Sequence, residues 1–124
     1  MSAVKVLIID DEYGMRWALE KALREEGYEV SSAANGAEGL EALASQDISL
    51  VLLDYKMPGM SGLKVLELIK ETKPDLRVIF MTGHSSISTA LDSLRMGATA
   101  YITKPFHLTD LKATINKVLD AGNL

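Results

Sequence analysis

Short apolar runs alternate five times with amphipathic segments, and this alternation limits the possible folds more than any other feature. The apolar runs are predicted as strands over Val4–Ile9, Tyr28–Ala33, Ile48–Leu53, Arg77–Met81 and Ala100–Thr103. The segments that follow them have apolar residues at helical spacing and are predicted as helices over Gly14–Glu26, Ala37–Ala44, Leu63–Thr72, Ser86–Met96 and Leu108–Ala121. Nearly continuous apolar strands that alternate with helices predict an α/β fold, in which helices cover both faces of a parallel sheet.

The order of the strands follows from the handedness of the connections. Right-handed crossovers leave few topologies, and the doubly wound, flavodoxin-like (βα)5 arrangement with strand order 2-1-3-4-5 is the commonest at this size. The 124 residues suffice for one sizeable core, so we predict one domain over residues 1–124. In such sheets ligands bind beyond the carboxyl ends of the strands.

Composition excludes several classes of function. The net charge is −4 and the basic residues are scattered singly, so we expect no direct binding to nucleic acid. The absence of cysteine excludes disulfides, thiolate zinc sites and a cysteine nucleophile. The N-terminal residues resemble neither a signal peptide nor a membrane span. We therefore expect a cytoplasmic protein that does not bind membranes.

Polar side chains follow four of the predicted strands, at the edge of the sheet where ligands bind. These strand ends carry Asp10-Asp11-Glu12, Asp54, Thr82-Gly83 and Lys104-Pro105. Clustered carboxylates repel one another, and Mg²⁺ relieves this because it prefers oxygen ligands. The Lys104 ammonium and the Thr82 hydroxyl suit a phosphoryl group in transfer, and Asp54 is the carboxylate that could attack phosphorus to form an acyl phosphate.

Each of these residues has a structural explanation when taken alone. An acid after a strand, such as Glu12, is often only a helix N-cap. Lys104 could be a surface ion-pair partner, and Thr82 could form a turn. Their meeting at one edge of the sheet favours the functional interpretation.

Four motifs, VLIIDDE, LVLLDYKMPGMSG, VIFMTGH and AYITKPF, together resemble the response-regulator receiver domain over the whole chain. The resemblance implies that Asp54 is the phosphoacceptor and that Thr82 and Lys104 bind the phosphoryl oxygens. It also implies that Tyr101 is a switch aromatic and that the Lys104-Pro105 bond is cis. The implied Mg²⁺ ligands are Asp10, largely through water, and directly Asp11, Asp54 and the backbone carbonyl of Lys56.

The resemblance also implies partners. The phosphoryl donor would be a sensor histidine kinase or a histidine phosphotransfer protein, and a downstream effector would read the face formed by helix four, strand five and helix five. The chain would accept phosphate and assist its own slow dephosphorylation rather than act as an ordinary enzyme. Expected donor contacts at the rim of the site are Tyr13, Gly14, Met15, Lys56, His84, Pro105 and Phe106.

Two subgroups of receivers are the most similar. Lys56 and the segment DEYGMR resemble single-domain phosphorelay receivers of sporulating bacteria, whereas the segment RWALEKAL resembles receivers of enhancer-binding transcription activators. The sequence alone does not choose between a stand-alone receiver and the receiver part of a larger regulator.

Two other functions are less consistent with the residues after the first strand. A haloacid-dehalogenase-like phosphatase would place its nucleophile after strand one, with a second Asp two residues on, where this chain has Glu12. A flavodoxin-like cofactor binder would need a Ser-, Thr- and Gly-rich loop after strand one to hold a phosphate, whereas the three acids Asp10-Asp11-Glu12 of this chain would repel one.

We expect Pro58, Gly59 and Gly62 to fix the loop after Asp54, since Pro restricts φ and Gly permits otherwise forbidden angles. Trp17 falls off the Met15, Leu19 and Leu23 face of its helix; it could be partner surface, but we expect it to pack against a neighbouring helix.

Overall fold

The computed structural model describes residues 4–83 and 87–121. In this part of the chain strands and helices alternate as predicted. The strands are β1 (Lys5–Ile9), β2 (Glu29–Ala33), β3 (Leu50–Asp54), β4 (Arg77–Gly83) and β5 (Ala100–Lys104). The helices are α1 (Tyr13–Glu25), α2 (Gly36–Ser45), α3 (Gly62–Thr72), α4 (Ile87–Arg95) and α5 (Leu108–Ala121).

The strands form one parallel sheet in the order β2-β1-β3-β4-β5, which confirms the predicted flavodoxin-like α/β fold. The predicted boundaries are close to the observed ones, with the largest differences at β3 and β4. Strand β3 begins at Leu50 and includes Asp54, and β4 continues to Gly83. The predicted start of the fourth helix at Ser86 lies outside the described residues. Asp54 is therefore part of a central strand, held by the hydrogen bonds of the sheet.

Alternate residues of the central strands feed two separate cores, because successive side chains of a strand point to opposite faces. On one face Leu7, Ile9, Val51 and Leu53 pack with side chains of α2 and α3. On the other face, strand residues pack with α1 and α5, and this cluster consists of Val6, Ile8, Leu19, Leu23, Leu50, Leu52, Ile79, Met81, Leu111, Ile115 and Val118. Helices on both faces hold the sheet rigidly, and with it the groups at its carboxyl edge.

The expectation for Trp17 is wrong. Its side chain is 55% exposed on the outer face of α1, where the Lys21 ammonium lies 5.3 Å from the centre of the indole ring. The inward face of α1 is occupied by Leu19, Ala22 and Leu23, and residue 17 lies outside that face.

Within the described residues no helix is both long and apolar enough to cross a membrane.

Candidate functional site

Three carboxylates meet at the carboxyl edge of the sheet. One oxygen from each of Asp10, Asp11 and Asp54 lies within 4.8 Å of the other two. Strands β1 and β3 are paired with Ile9 opposite Leu53, so the residues that follow these two are level with each other. Asp10 is fully buried and Asp54 is 4% exposed, whereas Asp11 is exposed. The parallel register thus brings together the acids that the sequence placed at the ends of two strands.

Lys104 supplies the positive charge of this cluster. Its ammonium nitrogen lies 2.8 Å from Asp10 Oδ2 and 3.2 Å from Asp54 Oδ1. A third and longer contact of 3.9 Å reaches Glu12 Oε1. Burial alone would lower the pKa of Lys104, but its hydrogen bond to Asp10 and the charge of Asp54 outweigh burial and raise that pKa above its usual value. Lys104 is therefore a permanent cation between two buried acids.

Asp54 is a weakened acid. Burial is the main cause, and the charge of Asp10 adds to it, so that the pKa of Asp54 is raised to about 6. The charge and hydrogen bond of Lys104 act in the opposite direction and limit the rise. At neutral pH the carboxylate is still mostly ionised, which a nucleophile requires.

Asp10 is held by its backbone and its side chain together. Its amide donates to the Ala33 carbonyl at 3.1 Å, and its Oδ1 accepts a hydrogen bond of 2.9 Å from the Glu12 amide. Its carbonyl accepts a hydrogen bond of 2.8 Å from Nη1 of Arg16. Glu12 lies at the N-cap of α1 without a side-chain cap bond, so the N-cap explanation for its carboxylate is not supported.

Thr82 lies at the carboxyl end of β4, between the strands that carry Asp54 and Lys104. It is 1% exposed, and its hydroxyl has no hydrogen-bond partner among residues 4–83 and 87–121. A buried hydroxyl without a partner costs free energy, so such groups in native proteins call for an explanation. Thr82 therefore has a buried hydroxyl, without a partner in the described residues, at the same edge of the sheet as the acids.

An open cleft of about 560 Å³ gives access to the cluster. Its walls come from the loops after β1 and β3 and from the ends of β3, β4 and β5, and the lining residues are Asp11, Glu12, Asp54, Lys56, Met57, Pro58, Gly83 and Lys104. Asp10 is absent from this lining because it lies beneath the surface. Asp54 is thus the carboxylate of the described cluster that both faces the cleft and contacts Lys104.

The loop from Tyr55 to Ser61 is fixed by two glycines, for different reasons. Gly59 has a φ of +78°, a conformation that other residues rarely adopt. Gly62 has no such angle, which corrects the expectation that its backbone angle requires glycine. A Cβ at position 62 would instead collide with the Asp54 carbonyl oxygen and would approach the Cα of Tyr55 to 2.7 Å. Glycine is needed here because the start of α3 presses against the end of β3.

The residues predicted for donor contact and for switching differ in their exposure, and of them Lys56 lines the cleft. Tyr13 is 74% exposed, Gly14, Lys56 and Pro105 are exposed, and Met15 and Phe106 are half-buried against the core. His84 lies outside the described residues. The Tyr101 side chain on β5 is 38% exposed and points outward. The Lys104-Pro105 bond is cis, as predicted.

The donor set fits a hard divalent cation. Three carboxylates with oxygens this close would repel one another, and oxygen ligands are those that Mg²⁺ prefers. Their partial exposure through Asp11 leaves room for the water ligands that Mg²⁺ usually retains. The three carboxylates therefore form a candidate site for a divalent metal ion.

Comparison with known proteins identifies the family. Residues 6–116 match the model of the response regulator receiver domain. The transcriptional regulator NtrC of Escherichia coli K12 is 41% identical over 92% of this chain, which spans only 24% of that relative. The sporulation initiation phosphotransferase F of Bacillus subtilis is 36% identical, with 93% of each chain covered. A CheY-like receiver domain structure from Methanospirillum hungatei superposes with a TM-score of 0.92 at 37% identity, covering 97% of this chain and 96% of that one. The chain therefore belongs to the response-regulator receiver domains, the phosphoacceptor modules of two-component signal transduction.

Proposed function

We propose that Asp54 accepts a phosphoryl group from a phosphohistidine of a sensor histidine kinase or a histidine phosphotransfer protein. The observation that carries this assignment is the position of Asp54, which lines the cleft and contacts Lys104 at 3.2 Å. Asp10 is buried beneath the cleft, and Asp11 contributes no oxygen within ion-pair distance of Lys104 in the described residues. Among the three aspartates of the cluster, Asp54 is the one that combines access for a phosphoryl group with a close ammonium group, and the Lys104 contact of Glu12, which also lines the cleft, is longer at 3.9 Å.

The transfer requires an ionised Asp54. With a pKa of about 6, the carboxylate is available at pH 7 and attacks the phosphorus atom of the donor. A phosphorus–oxygen bond forms while the phosphorus–nitrogen bond to the donor imidazole breaks. The imidazole leaves with the bonding electron pair and takes up a proton, and Asp54 becomes an acyl phosphate.

Three carboxylates and one backbone carbonyl would hold the Mg²⁺ ion. Asp11 and Asp54 would bind it directly, Asp10 largely through water, and the Lys56 carbonyl would complete the protein ligands. When bound, Mg²⁺ offsets the negative charge of the phosphoryl oxygens. Pro58 and Gly59 fix the loop that carries Lys56, and Lys56 lines the cleft. The fixed conformation of this loop is what supports the Lys56 carbonyl as a ligand.

Lys104 and Thr82 complete the charge balance around the phosphoryl group. The Lys104 ammonium, which lies between Asp10 and Asp54, neutralises one phosphoryl oxygen. The Thr82 hydroxyl, free among the described residues, donates to another. The Lys104 ammonium is in place before the phosphoryl group arrives, whereas the Thr82 hydroxyl turns toward the group once it is bound.

The output would be a change of the face formed by α4, β5 and α5. When Thr82 turns to the phosphoryl group it vacates space, and Tyr101, which is now outward, rotates inward. The α4 part of this face carries apolar side chains with high exposed fractions, namely Ile87 (65%), Leu91 (44%) and Leu94 (38%). An effector that reads this face would sense the phosphate without touching it, since bonds made only in the phosphorylated form bias the equilibrium. Passing the phosphoryl group to another protein is the other route of output.

The donor would dock over the rim of the cleft. Exposed Tyr13 and Gly14 at the start of α1, Lys56 on one side and Pro105 on the other surround the opening to Asp54. Half-buried Met15 and Phe106 extend this rim, and His84, outside the described residues, is assigned to it from the sequence. This surface is separate from the α4 face, so donor and effector contacts can be tested independently.

Labelling with acetyl phosphate in the presence of Mg²⁺ tests the assignment. We expect a Mg²⁺-dependent mass increase of one phosphoryl group on the wild type and none on Asp54→Asn. Asp11→Asn keeps the acceptor and should retain labelling at raised Mg²⁺. Full labelling of Asp54→Asn, mapped to Asp10 or Asp11, would overturn the assignment. Rapid turnover without a stable adduct would point to a hydrolase.

A further inference from the structure

We propose that Arg16 is a positioning residue for the acidic cluster, because it binds the backbone of Asp10 and thereby fixes the loop between β1 and α1 in the conformation that receives a divalent cation. This inference deepens the proposed function and rests on it. Arg16 has no assigned role in the chemistry above, and its contacts are internal to the chain.

The first observation is the hydrogen bond from Arg16 Nη1 to the Asp10 carbonyl, with a length of 2.8 Å. The Asp10 amide is bonded to β2, Oδ2 to Lys104 of β5 and Oδ1 to the Glu12 amide of the same loop, so the Arg16 bond completes the fixation of this residue. The loop contains only Asp10, Asp11 and Glu12 between the end of β1 and the start of α1. Fixing the carbonyl of the first of these residues limits the positions that Asp11 can adopt.

The second observation is that the guanidinium group is itself held in place. Its carbon lies 5.8 Å from the centre of the Tyr13 ring, within the range of a cation–π contact. None of the ion pairs found in residues 4–83 and 87–121 involves Arg16. The side chain is half-buried, and the described contacts direct it toward the loop rather than toward a surface acid.

Arginine is the residue type that this arrangement needs. A planar guanidinium can stack on an aromatic ring and donate in its own plane at the same time, which a lysine ammonium does less well. Partners that orient metal ligands typically contribute about 10- to 100-fold to metal affinity. Since Arg16 acts through the backbone of one ligand residue, we expect an effect at the lower end of that range.

The test is calorimetric titration of Mg²⁺ into the unphosphorylated full chain. Arg16→Met should raise the Mg²⁺ dissociation constant about tenfold. Arg16→Lys, which keeps the charge and one donor, should recover part of that loss. Arg24→Met is the matched control, because Arg24 also lies on α1 and donates to a backbone carbonyl, that of Val30 at 3.2 Å, away from the acids. It should leave the dissociation constant within about twofold of the wild type.

Labelling with acetyl phosphate gives a second readout. In Arg16→Met the Mg²⁺ concentration for half-maximal labelling should rise about tenfold while the rate at saturating Mg²⁺ stays within about twofold of the wild type. An unchanged dissociation constant in a folded Arg16→Met variant would overturn the inference. Tighter binding in Arg16→Met would also overturn it, since Arg16 would then act only by charge repulsion. Failure of the wild type to bind Mg²⁺ would instead contradict the proposed function.

Discussion

The Lys104 ammonium group lies 3.2 Å from the Asp54 carboxylate although β4 separates their strands in the sheet. The contact is possible because Lys104 is paired with Gly83, which has no side chain to block the path across the end of β4. Lysine, with its long flexible stem, spans this distance where a shorter side chain would not. The charge of the phosphoryl-accepting edge is thus balanced across the sheet rather than within one loop.

Replacing Lys104 by Gln should destabilise the metal-free protein. Two buried acids would lose their cation, and breaking a buried pair by removing one partner costs up to about 3–5 kcal/mol in typical proteins. We expect a loss of about 1–4 kcal/mol in the free energy of unfolding, measured with urea in EDTA. Lys64→Gln removes an exposed ion pair with Glu67 at 3.1 Å and should change the stability by less than about 1 kcal/mol. Equal effects would show that the Lys104 contacts are not stabilising.

Asp54→Asn should stabilise the metal-free protein at neutral pH. The folded state raises the pKa of Asp54 from 3.8 to about 6, so folding favours the protonated form. This contribution to stability is complete below pH 3.8 and is lost as the pH rises through 6. Above pH 6 the wild type therefore carries a penalty of up to about 3 kcal/mol that the amide lacks.

The unfolding free energies of Asp54→Asn and the wild type should be measured with urea in EDTA. The excess stability of Asp54→Asn should grow as the pH rises from about 4 to about 6. A difference that is the same at pH 4 and pH 7 would contradict the raised pKa.

Thr82→Val should raise the stability of the unphosphorylated protein and impair its phosphorylation. The substitution keeps the shape and removes a buried hydroxyl that has no partner in the described residues, so the free energy of unfolding should rise by about 1 kcal/mol. Thr99→Val is the matched control, because the Thr99 hydroxyl accepts a hydrogen bond of 3.2 Å from the Val78 amide. It should lower the stability by about 1 kcal/mol. A loss of stability in Thr82→Val would mean that the hydroxyl is satisfied.

Mg²⁺ should raise the melting temperature of the wild type. A ligand that binds only the native state stabilises it by mass action, by about 2.7 kcal/mol at a concentration of 100 times the dissociation constant. Thermal melts should be recorded without Mg²⁺ and with about 10 mM Mg²⁺, on the order of a hundredfold excess over the dissociation constant. The two melting temperatures should differ clearly in the wild type and much less in Asp11→Ala. An equal gain in both proteins would place the cation elsewhere.

Met15→Ala should slow phosphotransfer from a protein donor and spare labelling by acetyl phosphate. Met15 lies on the proposed docking rim, but it also packs partly against the core, so rates must be compared at a temperature where the variant is folded. Leu94→Ala removes an exposed side chain of α4 and should leave both reactions unchanged. Equal slowing of both reactions in Met15→Ala would show that the rim is structural.

The fold and the acidic edge were predictable because they depend on local patterns. Apolar runs and helical spacing gave the elements, and the parallel arrangement then brought Asp10 beside Asp54 without any knowledge of side-chain directions. The ends of the strands and helices were predicted less accurately than their existence and order. Asp54 was predicted to follow β3, but it lies within that strand, because pairing with Met81 of β4 extends the sheet by one residue.

The contacts of Arg16, Trp17 and Gly62 could not be read from the sequence. Arg16 lies six residues after Asp10, and its bond to that carbonyl depends on how the side chain turns back over the loop. Helical spacing puts Trp17 off the inward face of α1, but whether its ring packs against a neighbouring helix depends on tertiary contacts, and the ring is 55% exposed. Gly62 looked like a turn residue, whereas its role depends on how closely α3 approaches β3.

The close approach at Gly62 has a consequence for protein engineering. Residues 54–62 carry the acceptor, the loop and the start of α3, and the Gly62 amide also donates to the Tyr55 carbonyl at 2.8 Å. Because no side chain fits between Gly62 and the Asp54 carbonyl, displacing α3 would displace the backbone of the acceptor as well. A chimaera that exchanges helices between receivers should therefore take its crossover points outside this segment and transplant it whole.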